Sequence, residues 1–195
     1  GGWGAVSLTG LSGRDILGGG GGADTINGGK HTDKLYGNQG DDTLLGGSGN
    51  DLLYGGLGHD VLRGGFNHDR LFGGAGNDRI HGDNGVDRLF AGEGDDWLFG
   101  GAGNDRLIGA AGSDDMRGGS GADTFVFDGT AMTTGQDRIH DWTDADTIEL
   151  SGVTTDDVTI SATAQDTIID YGNGNVITVI GVTDTLAVMD SFEFV

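Results

Sequence analysis

One large apolar residue returns at every ninth position along the first two thirds of the chain: Leu8, Leu17, Ile26, Leu35, Leu44, Leu53, Leu62, Leu71, Ile80, Leu89, Leu98, Leu107, Met116 and Phe125. No insertion breaks this register from Gly1 to Val126, so these residues are fourteen copies of one nonapeptide, G-G-x-G-x-D-x-U-x with U apolar. The copies Gly46–Tyr54 and Gly100–Ile108 read most clearly. Side chains alternate between faces along a strand. An apolar eighth position between variable seventh and ninth positions therefore predicts a short strand at positions seven to nine. Positions one to six are expected to form a turn. A fixed short period marks a solenoid, in which each unit covers its apolar residue only by stacking on its neighbours.

Glycine decides between such a solenoid and a flexible linker. Of 43 glycines, 37 lie in residues 1–126, and they are strictly phased. A linker would not hold its eighth position apolar fourteen times. Position four is glycine except at Gly-replacing His31 and Asn67, two residue types enriched at positive φ. Position two reads as looser, with Leu11, Asn38, Asp83 and Ala110, and position one varies only at Ala91. Proline is absent, which suits strands that need every ladder donor.

The sixth position carries the chemistry. After Val6 it is Asp15, Asp24, Asp33, Asp42, Asp51, Asp60, Asp69, Asp78, Asp87, Asp96, Asp105, Asp114 and Asp123. The formal charge is −21, with 18 acids against 9 bases in residues 1–126 and 13 against 1 in residues 127–195. This balance argues against nucleic acid and anionic membrane as partners and in favour of cations. Cysteine is absent, so an extracellular chain of this kind needs a staple other than disulfides. No segment is apolar for long enough to span a bilayer. The first thirty residues lack a basic region followed by an apolar core, the mark of a secretory signal peptide. The chain opens within the repeat array without an initiator Met, which predicts a piece of a longer protein. The five histidines (His31, His59, His68, His81, His140) form no H-E-x-x-H pair, and no G-x-S-x-G elbow occurs. The many G-x-G-x-x-G matches lack a strand–helix context. The chain is expected not to be an enzyme. Trp3, Trp97 and Trp142 read as surface or cap packing.

The nonapeptide with its aspartate series resembles the RTX (repeats-in-toxin) calcium-binding β-roll family, in the form found at the C-terminus of type I secreted bacterial proteins. It resembles serralysin-type protease C-terminal domains and alginate epimerase R-modules. The resemblance implies an all-β fold: a right-handed parallel β-roll of fourteen repeats, two repeats per turn, followed by a β-rich C-terminal cap. Residues 1–126 would be the roll and residues 127–195 the cap with its secretion signal. Seven turns at ~4.8 Å per strand spacing make a roll about 34 Å long. The resemblance also implies that the turns of repeats n and n+2 sandwich calcium, with the thirteen aspartates named above as metal ligands. One column holds Asp15, Asp33, Asp51, Asp69, Asp87, Asp105 and Asp123, and the other Asp24, Asp42, Asp60, Asp78, Asp96 and Asp114. The ceiling is then about eleven interlayer ions, whose charge of about +22 offsets that of the chain. Magnesium fits less well, because it demands tighter octahedral geometry. With only two aliphatic side chains buried per turn, the roll is expected to be disordered without calcium.

Beyond the repeats, Gly121–Phe127 looks like the family's last repeat, and the segments Asp137–Trp142 and Asp146–Leu150 resemble the cap of secreted proteases, lipases and epimerases. Asp137, Asp141, Asp144 and Asp146 are candidates for one more site. Strands are expected at 158–161, 167–171 and 176–180, with a hairpin at 172–175 and a short helix from Thr183 or Asp184 through Met189. The ending Asp190–Val195 is compatible with an uncleaved type I signal, although Glu193 interrupts the apolar run of the protease type. The expected location is secreted, or attached to the bacterial cell surface. The expected partners are calcium ions, an upstream domain of the same polypeptide and the type I secretion machinery.

One outward face stands out. On the even-repeat sheet, positions seven and nine bring together Lys34, Tyr54, Arg70, Phe72, Arg88, Phe90 and Arg106. A ladder of Tyr54, Phe72 and Phe90 beside a column of arginines is a candidate face for an anionic polysaccharide, as in epimerase R-modules, or for another domain. The odd sheet offers no comparable stripe; its ninth positions are Thr9, Asn27, Leu45, Arg63, His81, Phe99 and Arg117. Two further readings stay open beside the folding module: a calcium-dependent polysaccharide-binding module, and the C-terminal domain of a secreted protease or lipase whose active site lies outside these residues.

Overall fold

In the computed structural model, described for residues 4–128, 135–154, 157–172, 174–183, 188–189 and 191–194, the chain is an all-β parallel solenoid. A first strand, β1 (Ser7–Thr9), is followed by twelve six-residue strands at nine-residue spacing, β2 (Ile16–Gly21) to β13 (Asp115–Ser120). Then come β14 (Thr124–Asp128), β15 (Gln136–Ile139), β16 (Thr147–Ser151), β17 (Thr159–Ala162), β18 (Thr167–Asp170), β19 (Val176–Val179) and β20 (Phe192–Phe194). Odd strands form one sheet in the order β1-β3-β5-β7-β9-β11-β13-β15-β19-β18-β17, and even strands the other, from β2 in sequence to β16 and then β20. Within the repeats each strand pairs in parallel with the strand eighteen residues on, as Leu89 does with Leu107. The eighth positions stack into two columns between the sheets. Ile26 through Phe125 are fully buried, whereas Leu8 and Leu17 at the first turn are only partly covered.

The strands are longer than the three residues expected. From β2 to β13 each runs on through positions one to three, and the turn shrinks to positions four to six. The hydrophobic pattern hides this extension because its residues are mostly glycine. Position one faces inward and is skipped in the ladder register. A Cβ at Gly28 would stand 2.6 Å from Asp33 Oδ2 and 2.8 Å from the Gly46 carbonyl, so close approach excludes a side chain there. Position two, read as looser, is as left-handed as position four. Every non-glycine at either place has positive φ: Leu11 (71°), Asn38 (82°), Asp83 (71°), Ala110 (74°), His31 (75°) and Asn67 (81°). Asn38 offsets some strain by donating to the Gly37 carbonyl at 2.8 Å, an option that Leu11 and Ala110 lack.

Past β14 the register changes. Thr124 pairs with Thr147 and Asp115 with Arg138, a step of 23 residues where the repeats step 18. The odd sheet then closes in an antiparallel meander, β19-β18-β17, and β20 adds in parallel to β16. The hairpin between β18 and β19 turns on Asn175 N donating to the Gly172 carbonyl at 2.9 Å, with Asn173 outside the described residues. Of the expected short helix, Val188 and Met189 are helical; residues 184–187 lie outside the described set. Larger side chains fill this end, with Phe127, Trp142 and Tyr171 buried beside Ile169, Ile177 and Val179.

Candidate functional site

Each turn delivers its aspartate just ahead of a strand, where the parallel ladder fixes it one rung from its counterpart. The Oδ1 of each aspartate accepts the main-chain N–H of the aspartate eighteen residues earlier, as in Asp51 N to Asp69 Oδ1 (2.7 Å) and Asp69 N to Asp87 Oδ1 (2.7 Å). The series begins at Val6 N and runs unbroken to Asp105 N with Asp123. All thirteen carboxylates named from the sequence stand in the two columns expected of them. The columns continue beyond the repeats, since Asp114 N donates to Asp137 and Asp123 N to Asp146, at 2.9 and 2.8 Å. Asp123 is therefore interior to its column, whereas the sequence reading placed it at the end. Asp141 joins differently, accepting the N–H groups of Gly118 and Gly119.

The segments Gly135–His140 and Asp144–Glu149 are thus degenerate fifteenth and sixteenth repeats. They keep D-x-U-x (Asp137, Ile139; Asp146, Ile148) after losing the paired glycines. That retained four-residue pattern was the available signal.

The second carboxylate oxygens define the site. In all thirteen repeat aspartates Oδ2 is buried with no hydrogen-bond partner. From Asp33 to Asp123 the residues are at most 2% exposed. Such groups are costly to leave unpaired. Burial, reinforced by the like charges one rung away, pushes the acidity accordingly. Asp51, Asp87, Asp105 and Asp123 rise to about 6, Asp60 to about 7, and Asp69 and Asp96 to about 8, while the accepted N–H works in the opposite direction. Main-chain carbonyls meet them in the gap. The Gly46 carbonyl points at Gly28, and the carbonyls of Gly56 and Gly58 point the other way, at Gly74 and Gly76. No cluster of three or more metal-ligating side chains exists among the described residues. A cation here would draw on one or two carboxylates per gap plus carbonyls. That all-oxygen donor set suits a hard divalent ion of calcium type.

A second set of turn contacts was not anticipated. At position five, side chains accept N–H groups one turn ahead: His59 N to Asp41 Oδ1 (2.8 Å), Asn77 N to His59 Nδ1 (2.8 Å), Asp95 N to Asn77 Oδ1 (3.2 Å) and Ser113 N to Asp95 Oδ1 (2.8 Å). His68 N with Asn50 Oδ1 and Val86 N with His68 Nδ1 do the same in the other column. These turns are stapled backward by position six and forward by position five. The enrichment of Asp, Asn, His and Ser at position five was the readable signal.

On the even face the aromatic ladder forms and is one rung longer than expected. Ring centroids of Tyr36–Tyr54, Tyr54–Phe72 and Phe72–Phe90 lie 5.1, 4.8 and 4.7 Å apart, all stacked and half-buried. Lys34, Arg70 and Arg88 are exposed beside it. Arg106, however, forks onto Glu149 at 2.6 and 2.8 Å and ties the roll to the cap. The odd face does carry a cluster, contrary to the sequence reading. Arg79 lies over the Trp97 ring (5.7 Å) and Arg117 over Phe99 (5.8 Å), while His81 stacks on Phe99 at 4.7 Å. Trp142 packs in the cap as expected, Trp97 is 48% exposed, and Trp3 lies outside the described residues.

A parallel β-solenoid whose turns stack buried carboxylates, one oxygen of each unpartnered, beside main-chain carbonyls has the donor set of a cation-binding β-roll. The RTX calcium-binding nonapeptide repeat family matches at residues 1–35, 9–44, 27–62, 36–71, 63–98 and 90–125, and the chain belongs to this family. A search of curated proteins returns no match. Among solved structures, the extracellular lipase LipA from Serratia marcescens is similar with a TM-score of 0.46 and 19% identity, over 93% of this chain and 40% of the lipase. The chain thus spans less than half of that lipase's length. The AlgE6R3 subunit of the Azotobacter vinelandii mannuronan C5-epimerase is similar with a TM-score of 0.30 and 27% identity, over 66% of this chain and 78% of the subunit.

Proposed function

We propose that the chain is a calcium-driven folding module of a larger secreted bacterial protein, ordering outside the cell and supporting that protein's export and stability. The observation behind this reading is the thirteen buried Oδ2 atoms without partners. The residues proposed as ligands are the thirteen repeat aspartates, Asp15 through Asp123, joined by Asp137 and Asp146. Columns of eight and seven carboxylates leave seven and six gaps, raising the ceiling from about eleven ions to about thirteen of the RTX type. Calcium in a gap would supply the positive charge that two stacked carboxylates lack. Without it, mutual repulsion and desolvation work against the roll, so in calcium-poor cytosol the chain stays open for the type I machinery. The division proposed is residues 1–126 as roll and 127–195 as cap and secretion signal, with an upstream domain of the same polypeptide as cargo. Any protease or lipase activity would reside in that cargo. The test is circular dichroism during calcium titration of the chain. A cooperative gain of β signal in the micromolar to millimolar range is expected. A folded, protease-resistant chain in chelator would contradict the reading.

A second reading is favoured by Arg70 and Arg88, which form no ion pair among the described residues and flank the stacked ladder. We infer that this face suits an anionic polysaccharide, guanidinium groups taking carboxylates and rings covering sugar faces. Changing Arg70 and Arg88 together to Ser should weaken binding of uronate oligosaccharides to the calcium-loaded chain. Equal binding by that variant would remove this reading.

A further inference from the structure

The acids and bases of the roll are segregated. Of its 18 acids, thirteen occupy position six and two position five; Asp83, Glu93 and Asp115 lie within the strands, Asp83 paired with Arg63. Seven of its 9 bases (Lys34, Arg63, Arg70, Arg79, Arg88, Arg106 and Arg117) stand at the outward positions seven and nine. On the odd face this row is interrupted by a tryptophan. Trp97 is 48% exposed where the same column otherwise presents Thr25, Thr43, Val61, Arg79 and Asp115. Trp97 stands beside Phe99, on which His81 stacks, and contiguous exposed aromatic surface marks a contact site.

Between Trp97 and the turns lies a groove of about 370 Å³ lined by His59, Asn77, Asp78, Arg79, Asp95 and Trp97. The size is that of a small-ligand site. Its polar wall is built from the position-five column. Backbone contacts occupy one atom of each residue there: Nδ1 of His59, Oδ1 of Asn77 and Oδ1 of Asp95. Because His59 Nδ1 accepts a hydrogen bond, the ring proton sits on Nε2, a donor. Three groups therefore remain aimed outward at one-rung spacing: a donor on His59, two donors on Asn77 and an acceptor on Asp95. None of these atoms has a partner among the described residues. They cost little ordering entropy on binding, since the ladder already fixes their side chains. Beside them stands a flat apolar ring held in place by Arg79.

We propose that this groove binds the pyranose ring of a glycan, with the apolar ring face on Trp97 and the hydroxyls on His59, Asn77 and Asp95. A flat ligand that is apolar on its face and rich in both donors and acceptors at its rim matches what the groove offers. The even face presents none of this mixed rim. Its ladder is flanked by Lys34, Leu52, Arg70 and Arg88, so the two faces offer different groups to a sugar chain.

The experiment uses the calcium-loaded chain, its fold checked by circular dichroism, with tryptophan fluorescence and calorimetry as readouts. The probes are a neutral β-linked glucose hexasaccharide and a hexauronate. Saturable binding of either one is expected, with a change in Trp97 emission, and the better of the two identifies the glycan's charge class. Trp97→Ala should weaken binding at least about tenfold, in the range of an aromatic hot spot. Asn77→Ala should weaken it severalfold, and Met189→Ala, at an exposed residue of the cap, should leave it unchanged. Trp97→Phe, which keeps a ring, serves should Trp97→Ala disturb the fold; partial retention of affinity is then expected. No binding of either probe to the wild-type chain, or binding indifferent to Trp97 and Asn77, would overturn the proposal.

Discussion

The roll and the cap handle their acids in opposite ways. In the roll, thirteen carboxylates are buried with one oxygen each unpartnered. In the cap, Asp137 and Asp146 continue the columns, but several acids are satisfied within the cap itself. Asp146 Oδ2 accepts from Thr143 N at 2.7 Å, Asp157 from Thr154 N at 2.9 Å, and Asp166 from Gly181 N at 2.9 Å. The hydrophobic interiors differ as well. The roll has two single files of aliphatic side chains, whereas the cap has Phe127, Trp142 and Tyr171 and an antiparallel meander. The lesson is that a repeated backbone with close-packed glycines leaves little room for apolar volume. Its cohesion must come from the polar edge, where each repeat carboxylate leaves one oxygen unpartnered.

The sharpest way to break this comparison is to neutralise one roll carboxylate without removing its hydrogen bond. Asp69→Asn keeps an oxygen for Asp51 N and loses the charge. In calcium, it should lower stability by about 2–3 kcal/mol and raise the calcium midpoint, since two gaps are weakened. In chelator, the sign reverses and the variant should be the more ordered, because a buried unpaired charge is gone. Asp123→Asn should behave alike, given that Asp146 continues its column. Asp166→Asn in the cap should leave the calcium midpoint in place. Urea unfolding at fixed calcium, with and without chelator, reads all three.

Acidification sharpens the same point. Burial raises Asp51, Asp60, Asp69 and Asp96 to about 6, 7, 8 and 8 from an ordinary value near 4. The folded roll thus takes up protons that the unfolded chain does not. Its calcium-free stability should be lowest above pH 8 and rise as pH falls toward 5. Protons compete with the cation, so the calcium midpoint should move to higher calcium over the same range. Circular dichroism across pH, with and without calcium, checks both directions.

Smaller effects separate the joint from the repeats. Arg106→Ala removes the fork onto Glu149, a half-exposed pair, and should cost about 1 kcal/mol without altering calcium stoichiometry. Ala110→Gly relieves a left-handed residue with φ of 74° and should gain about 1 kcal/mol. Thermal unfolding in calcium measures each.

Much of this was legible in the chain. The aliphatic columns, the two aspartate columns and the even-face ladder follow from a period of nine and strand alternation. His31 and Asn67 announced the left-handed fourth position. Other features were hidden for physical reasons. Glycine carries no facing signal, so the strand extension over positions one to three, and the left-handed second position, could not be read from hydrophobicity. The fifteenth and sixteenth repeats dropped the glycines that mark a repeat while keeping Asp137 and Asp146. The Trp97 groove needed the turn and the sheet face placed together, since His59, Asn77 and Asp95 recur every eighteen residues in a position that looks like variable turn.

The central claim is that the roll, and not the cap, depends on a cation held between its turns. Amide hydrogen exchange resolved along the chain tests it most directly. In calcium, the N–H groups of Asp24 through Asp114, each donating to the carboxylate one turn ahead, should be strongly protected. In chelator they should exchange as in an unfolded chain. Protection of these groups in chelator at neutral pH would contradict the account.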